Sequence, residues 1–344
     1  MQMKKITTTK MKYVSKKRLR TLFKPRFIDD RKELHLLSLG IGGSVTEKVD
    51  GQCFAVKMCD DNKILIKTSR GEYTNSTNEP SHQALLNHMR TEMFLHLMKL
   101  KKRYSAFEIE GELIYAPNEY YDEDNTVTLV ATKYHRTRMG MLGAVVIRKL
   151  VPLSNLSELE VEDAMKALQM FFNIHSSKGF KCYLNDEMIP TEETETVVVI
   201  PSNIELEDIP NLLDKLAENN KSLVNDKVKI DGCEVEGYVF YVEGIPYAII
   251  NKRWKALKEK YTETYNTIAE LYSSFVKSEG VVPFEYIDYW VNKCESYLND
   301  DSIPRGVRFT KRERIMNMLP KLSKHLEMGD YLKLTNKLLG TITK

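Results

Sequence analysis

The sequence lacks the features of a secreted or membrane protein. Its five cysteines are odd in number and widely scattered, and no Cys-x-x-Cys pair occurs. Neither a disulfide framework nor a cysteine-based zinc site is therefore predicted. No apolar run approaches the roughly 18 residues that cross a bilayer, and the basic start has no apolar signal-peptide core. We expect an intracellular, cytoplasmic protein that does not enter a membrane.

Length and charge point to a globular protein with an uneven charge distribution. The chain has 344 residues, enough for one large domain and a smaller one, and its formal net charge is only +3. Ten lysines and arginines nevertheless precede the first acidic residue, Asp29, with Tyr13, Phe23 and Phe27 among them. A basic segment with aromatic residues, here residues 1–35, suits contact with nucleic-acid phosphates and unpaired bases. A flexible, solvated terminus is the alternative.

The most informative stretch combines a lysine with an aspartate and a glycine, in the pattern Lys48-x-Asp50-Gly51. Residues 52–58 and 63–68 after it have the composition of two strands joined by a turn. Lys48 is thus predicted at a connection between strands, where Gly51 lets the backbone approach a ligand closely. We interpret Lys48 as the nucleophile of a covalent nucleotidyl transfer. The alternative is a solvated loop lysine.

The proposed chemistry sets requirements for the neighbours of this lysine. A free lysine amine is almost wholly protonated at neutral pH, so attack on phosphorus requires desolvation or nearby cations. A magnesium ion would serve. Carboxylates besides Asp50 are then needed to hold that ion.

Further motifs follow Lys48 along the chain. Arg70 comes after the second strand, Glu112 lies in a long alternating stretch, and Glu236 precedes an apolar strand and a basic segment. In this order the motifs resemble those of the covalent nucleotidyltransferases, which are the ATP-dependent RNA and DNA ligases and the messenger-RNA capping enzymes. The resemblance covers roughly residues 40 to 255.

The resemblance implies roles for the residues near the lysine. Lys48 would become covalently adenylylated, with Asp50 and Gly51 completing its motif. Glu47 precedes the nucleophile as in several phage RNA ligases, where that position helps to hold the adenine. Arg70 would contact the phosphates or the nucleic-acid end.

The resemblance also implies roles for the later motifs. Glu112 would bind the ribose of the nucleotide, and Glu236 would serve the metal, with Glu112 as a second candidate ligand. The last motif of the family offers two alternating lysines that grip the triphosphate. In the equivalent stretch here, 247–254, only Lys252 and Arg253 are candidates.

The expected fold class is α+β. We predict a nucleotidyltransferase (ATP-grasp-like ligase) domain of antiparallel sheets with flanking helices over 36–254, and a helical C-terminal domain over 255–344. One flanking helix should begin with a capping box at Ser157 and Glu160. The C-terminal part has no run of short alternating strands, so the small β-barrel of capping enzymes is not expected. A helical module resembles the phage-type RNA ligases, where it would bind the polynucleotide or act structurally.

One helix is predicted over 81–103 from its apolar spacing. His88, Glu92 and His96 lie at i, i+4 and i+8 on it and are candidate metal ligands. A polar helix face produces the same spacing and is the alternative.

Together these features, and the activity that the resemblance implies, predict an ATP-dependent RNA or other polynucleotide ligase. It would carry AMP on Lys48, use Mg²⁺, and seal 5′-phosphate and 3′-hydroxyl ends in RNA repair, in the host cytoplasm if it is encoded by a bacteriophage. Three alternatives remain open: a DNA ligase, a GTP-dependent capping guanylyltransferase, and an inactive nucleic-acid-binding protein on the same fold. The sequence does not determine the oligomeric state.

Overall fold

The computed structural model of the chain describes residues 26–27, 46–68, 72–130, 132–152, 154–184, 236–242, 245–250, 254–261, 284–322 and 327–342. The strands are β1 (Arg26–Phe27), β2 (Thr46–Glu47), β3 (Gln52–Met58), β4 (Ile64–Thr68), β5 (Phe107–Tyr115), β6 (Thr126–Thr128), β7 (Lys133–His135), β8 (Gly143–Pro152), β9 (Phe180–Leu184), β10 (Gly237–Val242) and β11 (Ile245–Ile250). The helices are α1 (Pro80–Arg90), α2 (Phe94–Tyr104), α3 (Glu158–Ile174), α4 (Phe284–Leu298), α5 (Arg305–Leu322) and α6 (Met328–Ile342). Residues 254–261 are helical as well.

The strands form two main sheets on either side of the lysine motif. One sheet has the order β1-β11-β10-β2 and the other the order β4-β3-β5-β8-β9, while β6 and β7 form a separate hairpin. Most neighbouring strands are antiparallel, as predicted, but β1 pairs with β11 and β8 with β9 in parallel. The chain passes from β8 to β9 through α3, and a helix-length crossover of this kind permits parallel pairing. The described chain is thus of the α+β class, with a mostly antiparallel five-stranded sheet.

The main hydrophobic core lies between the five-stranded sheet and helices α1, α2 and α3. In β3 the alternate residues Phe54, Val56 and Met58 are buried, because side chains of a strand alternate between its two faces. The helices pack buried residues such as Leu86 and Phe172 into the same core. Burying each large apolar side chain stabilises the fold by about 1.5–3 kcal/mol, so this core holds the sheet that carries the site.

The prediction of one helix over 81–103 is wrong at its centre, because the structure has two helices there, α1 and α2. The Thr91 hydroxyl donates a hydrogen bond to the Asn87 carbonyl oxygen at 3.0 Å where α1 ends. The Thr91 N–H donates to the same oxygen at 2.9 Å, and the helical pattern is lost after it, where the Met93 N–H reaches five residues back to the His88 carbonyl oxygen at 3.2 Å. Met93, at the break, is fully buried.

The predicted capping box at the start of α3 is confirmed. The Glu160 N–H donates to the Ser157 hydroxyl at 3.3 Å, and the Ser157 N–H donates to the Glu160 carboxylate at 2.9 Å. Such a cap satisfies backbone donors that the first helical turn leaves without partners, and contributes about 1 kcal/mol.

The C-terminal helices share a second core and also contact the sheet-bearing part of the chain. The second core includes Val291 from α4, Ile315 from α5 and Leu334 from α6. Helix α5 packs its Phe309 ring on Tyr120, with ring centroids 5.5 Å apart. Helices are therefore present after residue 255 as predicted, whereas the domain boundary itself stays a prediction. None of the described helices has the length and apolar character that a bilayer crossing requires.

Candidate active site

Lys48 lies at the junction of the two main sheets, directly after β2 and just before β3. Glu47, in β2, pairs with Tyr238 of β10, and the Lys48 N–H donates to the Gly237 carbonyl oxygen at 2.7 Å. This strand pairing places Lys48 next to Glu236, the residue before Gly237. The Lys48 Nζ lies 2.5 Å from Oε1 of Glu236, and only 11% and 6% of the two side chains are exposed. The structure thus brings together two of the predicted site residues.

Glu112 reaches the same pocket from β5, in the other sheet. It lies opposite Cys53 in the ladder between β3 and β5, and its side chain is almost fully buried. Arg148 forms an ion pair with the Glu112 carboxylate, and the Cys53 thiol donates to it at 3.3 Å. The charge of Glu112 also acts on Lys48. A buried carboxylate needs such partners, because removing one partner of a buried pair costs several kcal/mol.

A β-bulge places Arg148 beside Glu112. In the ladder between β5 and β8, Gly111 pairs with Ile147 while Glu110 pairs with Lys149, so Arg148 is the extra residue of β8. A bulge of this kind redirects the side chains of the strand that carries it. A Cβ on Gly111 would lie 2.2 Å from a carbonyl oxygen of β8, so the bulged pairing requires glycine at this position.

Asp50 is buried behind the lysine rather than exposed in a loop. Its carboxylate accepts a hydrogen bond from the Trp254 indole N–H at 3.2 Å, and its backbone N–H donates to the Tyr134 hydroxyl at 3.2 Å. Burial raises the pKa of Asp50, although the Trp254 hydrogen bond opposes the shift. The two contacts anchor the loop that carries the lysine to residues far along the chain.

Gly51 lies against β5. A Cβ at this position would lie 2.8 Å from Cγ of Glu112 and 2.9 Å from the Leu113 carbonyl oxygen. The glycine of the motif therefore lets the lysine loop approach the strand that carries a second site residue.

The pocket holds an ammonium between carboxylates. Burial by itself would lower the pKa of Lys48, but the negative charges of Glu236 and Glu112 outweigh it, so this pKa is raised above its ordinary value. Burial raises the pKa of Glu236 to about 7, against the attraction of Lys48. Burial and the charge of Glu112 raise the pKa of Cys53 to about 11, which leaves its thiol protonated at neutral pH.

Two carboxylates of the pocket are candidate ligands of a metal ion. Glu112 and Glu236 offer the oxygen ligands that magnesium prefers. Among the described residues, however, no group of three or more His, Cys, Asp or Glu side chains is placed to hold a metal by itself. Magnesium is commonly bound through one or two carboxylates together with substrate phosphates and waters. The two glutamates fit that mode and not a closed protein cage.

The candidate metal site on the helix does not form. His88 and His96 lie in different helices, separated by the break after α1. The His88 ring is buried, with centroids 5.9 Å from those of Phe172 and Phe180, and burial lowers its pKa to about 4. The His96 ring stacks on Phe171 with centroids 4.4 Å apart. Both histidines pack against phenylalanine rings, and His88 is buried, so the polar-face alternative does not describe His88 either.

Three predicted phosphate-binding residues, Arg70, Lys252 and Arg253, lie outside the described residues. Conversely, Arg148 and Trp254 contact the site and carry no role in the sequence prediction. The continuous apolar run 144–147 hides the signal that could have found Arg148.

That signal would be a change in the alternation of β8, which only the structure reveals. Val145 and Ile147 face the main core on one side of the bulge, and Leu150 faces it on the other. An odd-to-even change of this kind indicates an extra residue in the strand. The contact of Trp254 with Asp50 spans most of the chain and has no comparable local signal.

Comparisons with known proteins give similarity of structure only. No protein-family model matches the chain, and no curated protein matches it. A mutant RNA ligase of Naegleria gruberi with AMP and Mn is similar at a TM-score of 0.37 and 12% identity, covering 70% of this chain and 57% of that chain. A second mutant of that ligase, with ATP and Mn, has a TM-score of 0.37 and 15% identity, covering 68% and 56%.

An archaeal ATP-dependent RNA ligase is similar at a TM-score of 0.35 and 13% identity, covering 94% of this chain and 63% of that chain. The chain thus spans less than two thirds of the length of each of these proteins. The described fold and pocket define an α+β protein with a nearly buried lysine held between carboxylates where two sheets meet.

Proposed function

We propose that this chain is an ATP-dependent RNA ligase, which joins 5′-phosphate and 3′-hydroxyl ends through AMP carried covalently on Lys48. The observation that supports the proposal most is the burial of the motif lysine against Glu236, with Glu112 close by from the second sheet. The burial of a lysine and the charges beside it set the pKa of its amine, and that pKa decides how much of the amine is in the neutral, nucleophilic form. The choice of RNA rests on the helical C-terminal part of the sequence, which resembles that of the phage-type RNA ligases, because the lysine motifs are shared with DNA ligases and capping enzymes.

The first step requires a neutral amine at Lys48. In the ligand-free pocket the carboxylates raise the pKa of this amine, so it is protonated at neutral pH. Glu236 lies 2.5 Å from Nζ and is the carboxylate that holds this proton, so the proton can leave to solvent once a cation engages Glu236. The nitrogen then bonds to the α-phosphorus of ATP, and pyrophosphate leaves.

Glu236 and Glu112 would hold a magnesium ion that enters with the nucleotide. When bound, the ion would supply positive charge that stabilises the phosphates and weakens the hold of both carboxylates on the Lys48 proton. Without the ion, the positive charge of Arg148 already balances the carboxylate of Glu112. The pocket therefore changes from one that keeps the lysine protonated to one that favours its neutral form.

The other residues take the roles that the resemblance implies. Glu112 would contact the ribose and Glu47 the adenine, while Arg70, Lys252 and Arg253 would contact phosphates. The enzyme would then pass AMP to a 5′-phosphate end, and a neighbouring 3′-hydroxyl would displace it. The C-terminal helices would hold the polynucleotide.

The test is incubation of the purified chain with magnesium and α-labelled ATP or GTP, followed by a denaturing gel. We expect a labelled band with ATP that disappears in Lys48→Ala. The matched control is Lys63→Ala, since this lysine is exposed in the turn before β4 and forms a salt bridge of 2.6 Å with the neighbouring carboxylate of Asp61. It should label like the unchanged protein.

Four outcomes would contradict parts of the proposal. Labelling that persists in Lys48→Ala would refute the nucleophile assignment. Labelling by GTP alone would indicate a capping guanylyltransferase, and folded protein that takes no label from either nucleotide would indicate a binding protein. Sealing of nicked DNA in preference to 5′-phosphorylated RNA would refute the substrate class.

A further inference from the structure

A cavity of about 780 Å³ lies between α1 and α5. Its walls are helix faces, since the lining residues recur along each helix at intervals of three and four. The α5 wall includes Phe309, Arg312, Glu313 and Met316, and the α1 wall includes Gln83 and Asn87. Sites for small organic groups have volumes of about 300–1,000 Å³ and combine apolar walls with a few polar groups. The cavity has this size and composition.

Two tyrosines hold the carboxylate of Glu313 in this cavity. The Tyr120 hydroxyl donates to Oε2 of Glu313 at 2.5 Å, and the Tyr115 hydroxyl donates to Oε1 at 3.4 Å. Tyr120 is almost fully buried, so this end of the cavity is shielded from solvent. A carboxylate offers about four acceptor positions, and the two tyrosines use two of them. Glu313 therefore has acceptor capacity for a ligand that donates hydrogen bonds.

The α5 wall also offers flat surfaces and balanced charge. The guanidinium carbons of Arg305 and Arg312 lie 5.3 and 5.2 Å from the centroid of the Phe309 ring. These two positive charges offset the carboxylates of Glu313 and Glu119, the latter at the exposed rim. Neither an anion nor a cation is therefore favoured. A flat, uncharged ring can instead stack on an aromatic ring or a guanidinium plane.

The α1 wall offers amides and lies beside the lysine loop. The Gln83 side-chain amide donates to Oδ1 of Asn87 at 2.8 Å, and side-chain amides present both donors and acceptors to a ligand. In the first turn of the same helix, the Ser81 hydroxyl donates to the side-chain oxygen of Gln52 at 2.6 Å. Gln52 directly follows Gly51 of the lysine motif. One helix thus contacts both the cavity and the loop that carries the nucleophile.

We infer that the cavity between α1 and α5 binds one unpaired base of a polynucleotide, stacked at Arg312 and donating a hydrogen bond from its amino group to Glu313. The amino group of cytosine donates to carboxylates, whereas uracil presents a carbonyl oxygen at the same position of its ring. The site should therefore prefer cytosine to uracil. That the base belongs to an RNA substrate rests on the proposed function, whereas the preference for an amino-bearing ring does not.

The experiment measures binding of the full chain to oligocytidylate and oligouridylate of equal length by fluorescence anisotropy, at one fixed salt concentration. Oligocytidylate should bind about tenfold more tightly, which is the size of one specific base contact. Glu313→Gln puts an amide with a donor in place of the carboxylate, so this preference should disappear. The matched control is Glu327→Gln, because Glu327 is an exposed carboxylate directly before α6. It should keep the preference.

Equal affinity of the unchanged protein for the two RNAs would overturn the inference. So would a preference that survives in Glu313→Gln with a native circular dichroism spectrum, or one that Glu327→Gln also removes. Binding of an oligoarginine peptide that depends on Glu313, while binding of oligocytidylate does not, would replace the base by a basic protein segment.

A second measurement needs no variant and decides the matter if Glu313→Gln does not fold. Oligocytidylate is cross-linked to the unchanged protein by ultraviolet light, and the modified peptides are identified by mass spectrometry. An adduct on the part of α5 that contains Phe309 and Met316, or on the facing part of α1, would support the site. The absence of an adduct on either helix would overturn it.

The outcome for the proposed function is read separately. If Lys48 takes no label from ATP or GTP while the preference for oligocytidylate still depends on Glu313, the ligase proposal fails and the base site stands. If Lys48 is labelled by ATP and the unchanged protein does not distinguish the two RNAs, the ligase proposal stands and the base site fails.

Discussion

Replacing Gly51 by alanine perturbs the closest approach between the lysine loop and β5. The added Cβ would lie 2.8 Å from Cγ of Glu112 and 2.9 Å from the Leu113 carbonyl oxygen, against ordinary contacts of 3.4 to 4 Å. Relief requires a movement of about 0.6 Å, the difference between 3.4 and 2.8 Å. Because β5 is hydrogen-bonded to strands on both sides, its carbonyl oxygen cannot yield by itself. The loop and the Glu112 side chain must therefore shift.

The magnitude follows from the size of this shift. Overpacking of this kind costs about 1–3 kcal/mol of unfolding free energy. A displacement of ~1 Å in reacting groups can lower a rate by about a hundredfold, so a shift of half that size should lower AMP capture by about tenfold. Both effects come from one methyl group, and the charges of the pocket are unchanged.

The assays are urea unfolding and the time course of AMP capture with labelled ATP. The matched control is Gly329→Ala, at the start of α6, where an added Cβ meets no atom within 4 Å. That substitution should leave AMP capture unchanged and raise the unfolding free energy by up to about 1 kcal/mol, since alanine favours a helix over glycine.

An unchanged unfolding free energy for Gly51→Ala would refute the tight contact between the loop and β5. An unchanged stability together with a large loss of AMP capture would mean that Gly51 contacts the nucleotide instead. A change in unfolding free energy equal to that of Gly329→Ala, whatever its sign, would remove the contrast on which the reasoning depends.

Three other substitutions test the described contacts by denaturant unfolding. The folded state resists protonation of the buried His88 ring while the unfolded state accepts it, so the unchanged protein should lose about 3 kcal/mol of unfolding free energy as pH falls from 6.5 to about 4. His88→Leu should remove this pH-dependent loss. A parallel pH profile in both proteins would contradict the expectation. Trp254→Phe should cost about 1–3 kcal/mol at neutral pH, since Asp50 loses a buried donor; no loss would mean that water replaces it. Arg148→Met should lower the unfolding free energy by about 3–5 kcal/mol, because the buried carboxylate of Glu112 loses the cation that pairs with it. A loss below about 1 kcal/mol would argue against a buried ion pair.

Local signals in the sequence predicted the local structure well. Alternating residues with a turn predicted the hairpin of β3 and β4, and serine followed by glutamate predicted the capping box of α3. These features depend on a few neighbouring residues, so a single sequence contains them. The break at Thr91 was missed because the apolar spacing continues through it.

Contacts within the pocket depend on pairing between distant strands. Lys48 meets Glu236 because β2 pairs with β10, and no neighbouring residue sets that register. Arg148 meets Glu112 because one extra residue in β8 changes the side-chain direction. A shift of one residue in either ladder would turn these side chains to the opposite face.

The sequence by itself therefore determined the motif, the order of the elements and the chemistry that a lysine followed by aspartate and glycine suggests. The tertiary structure alone decided which charges surround Lys48. Carboxylates from both sheets reach the lysine, while Arg148, Trp254 and Lys258 join them from the bulged strand and from a later helix. The physical reason is that the state of a buried amine depends on its burial and on charges within several ångströms, and those distances exist only after the two sheets meet.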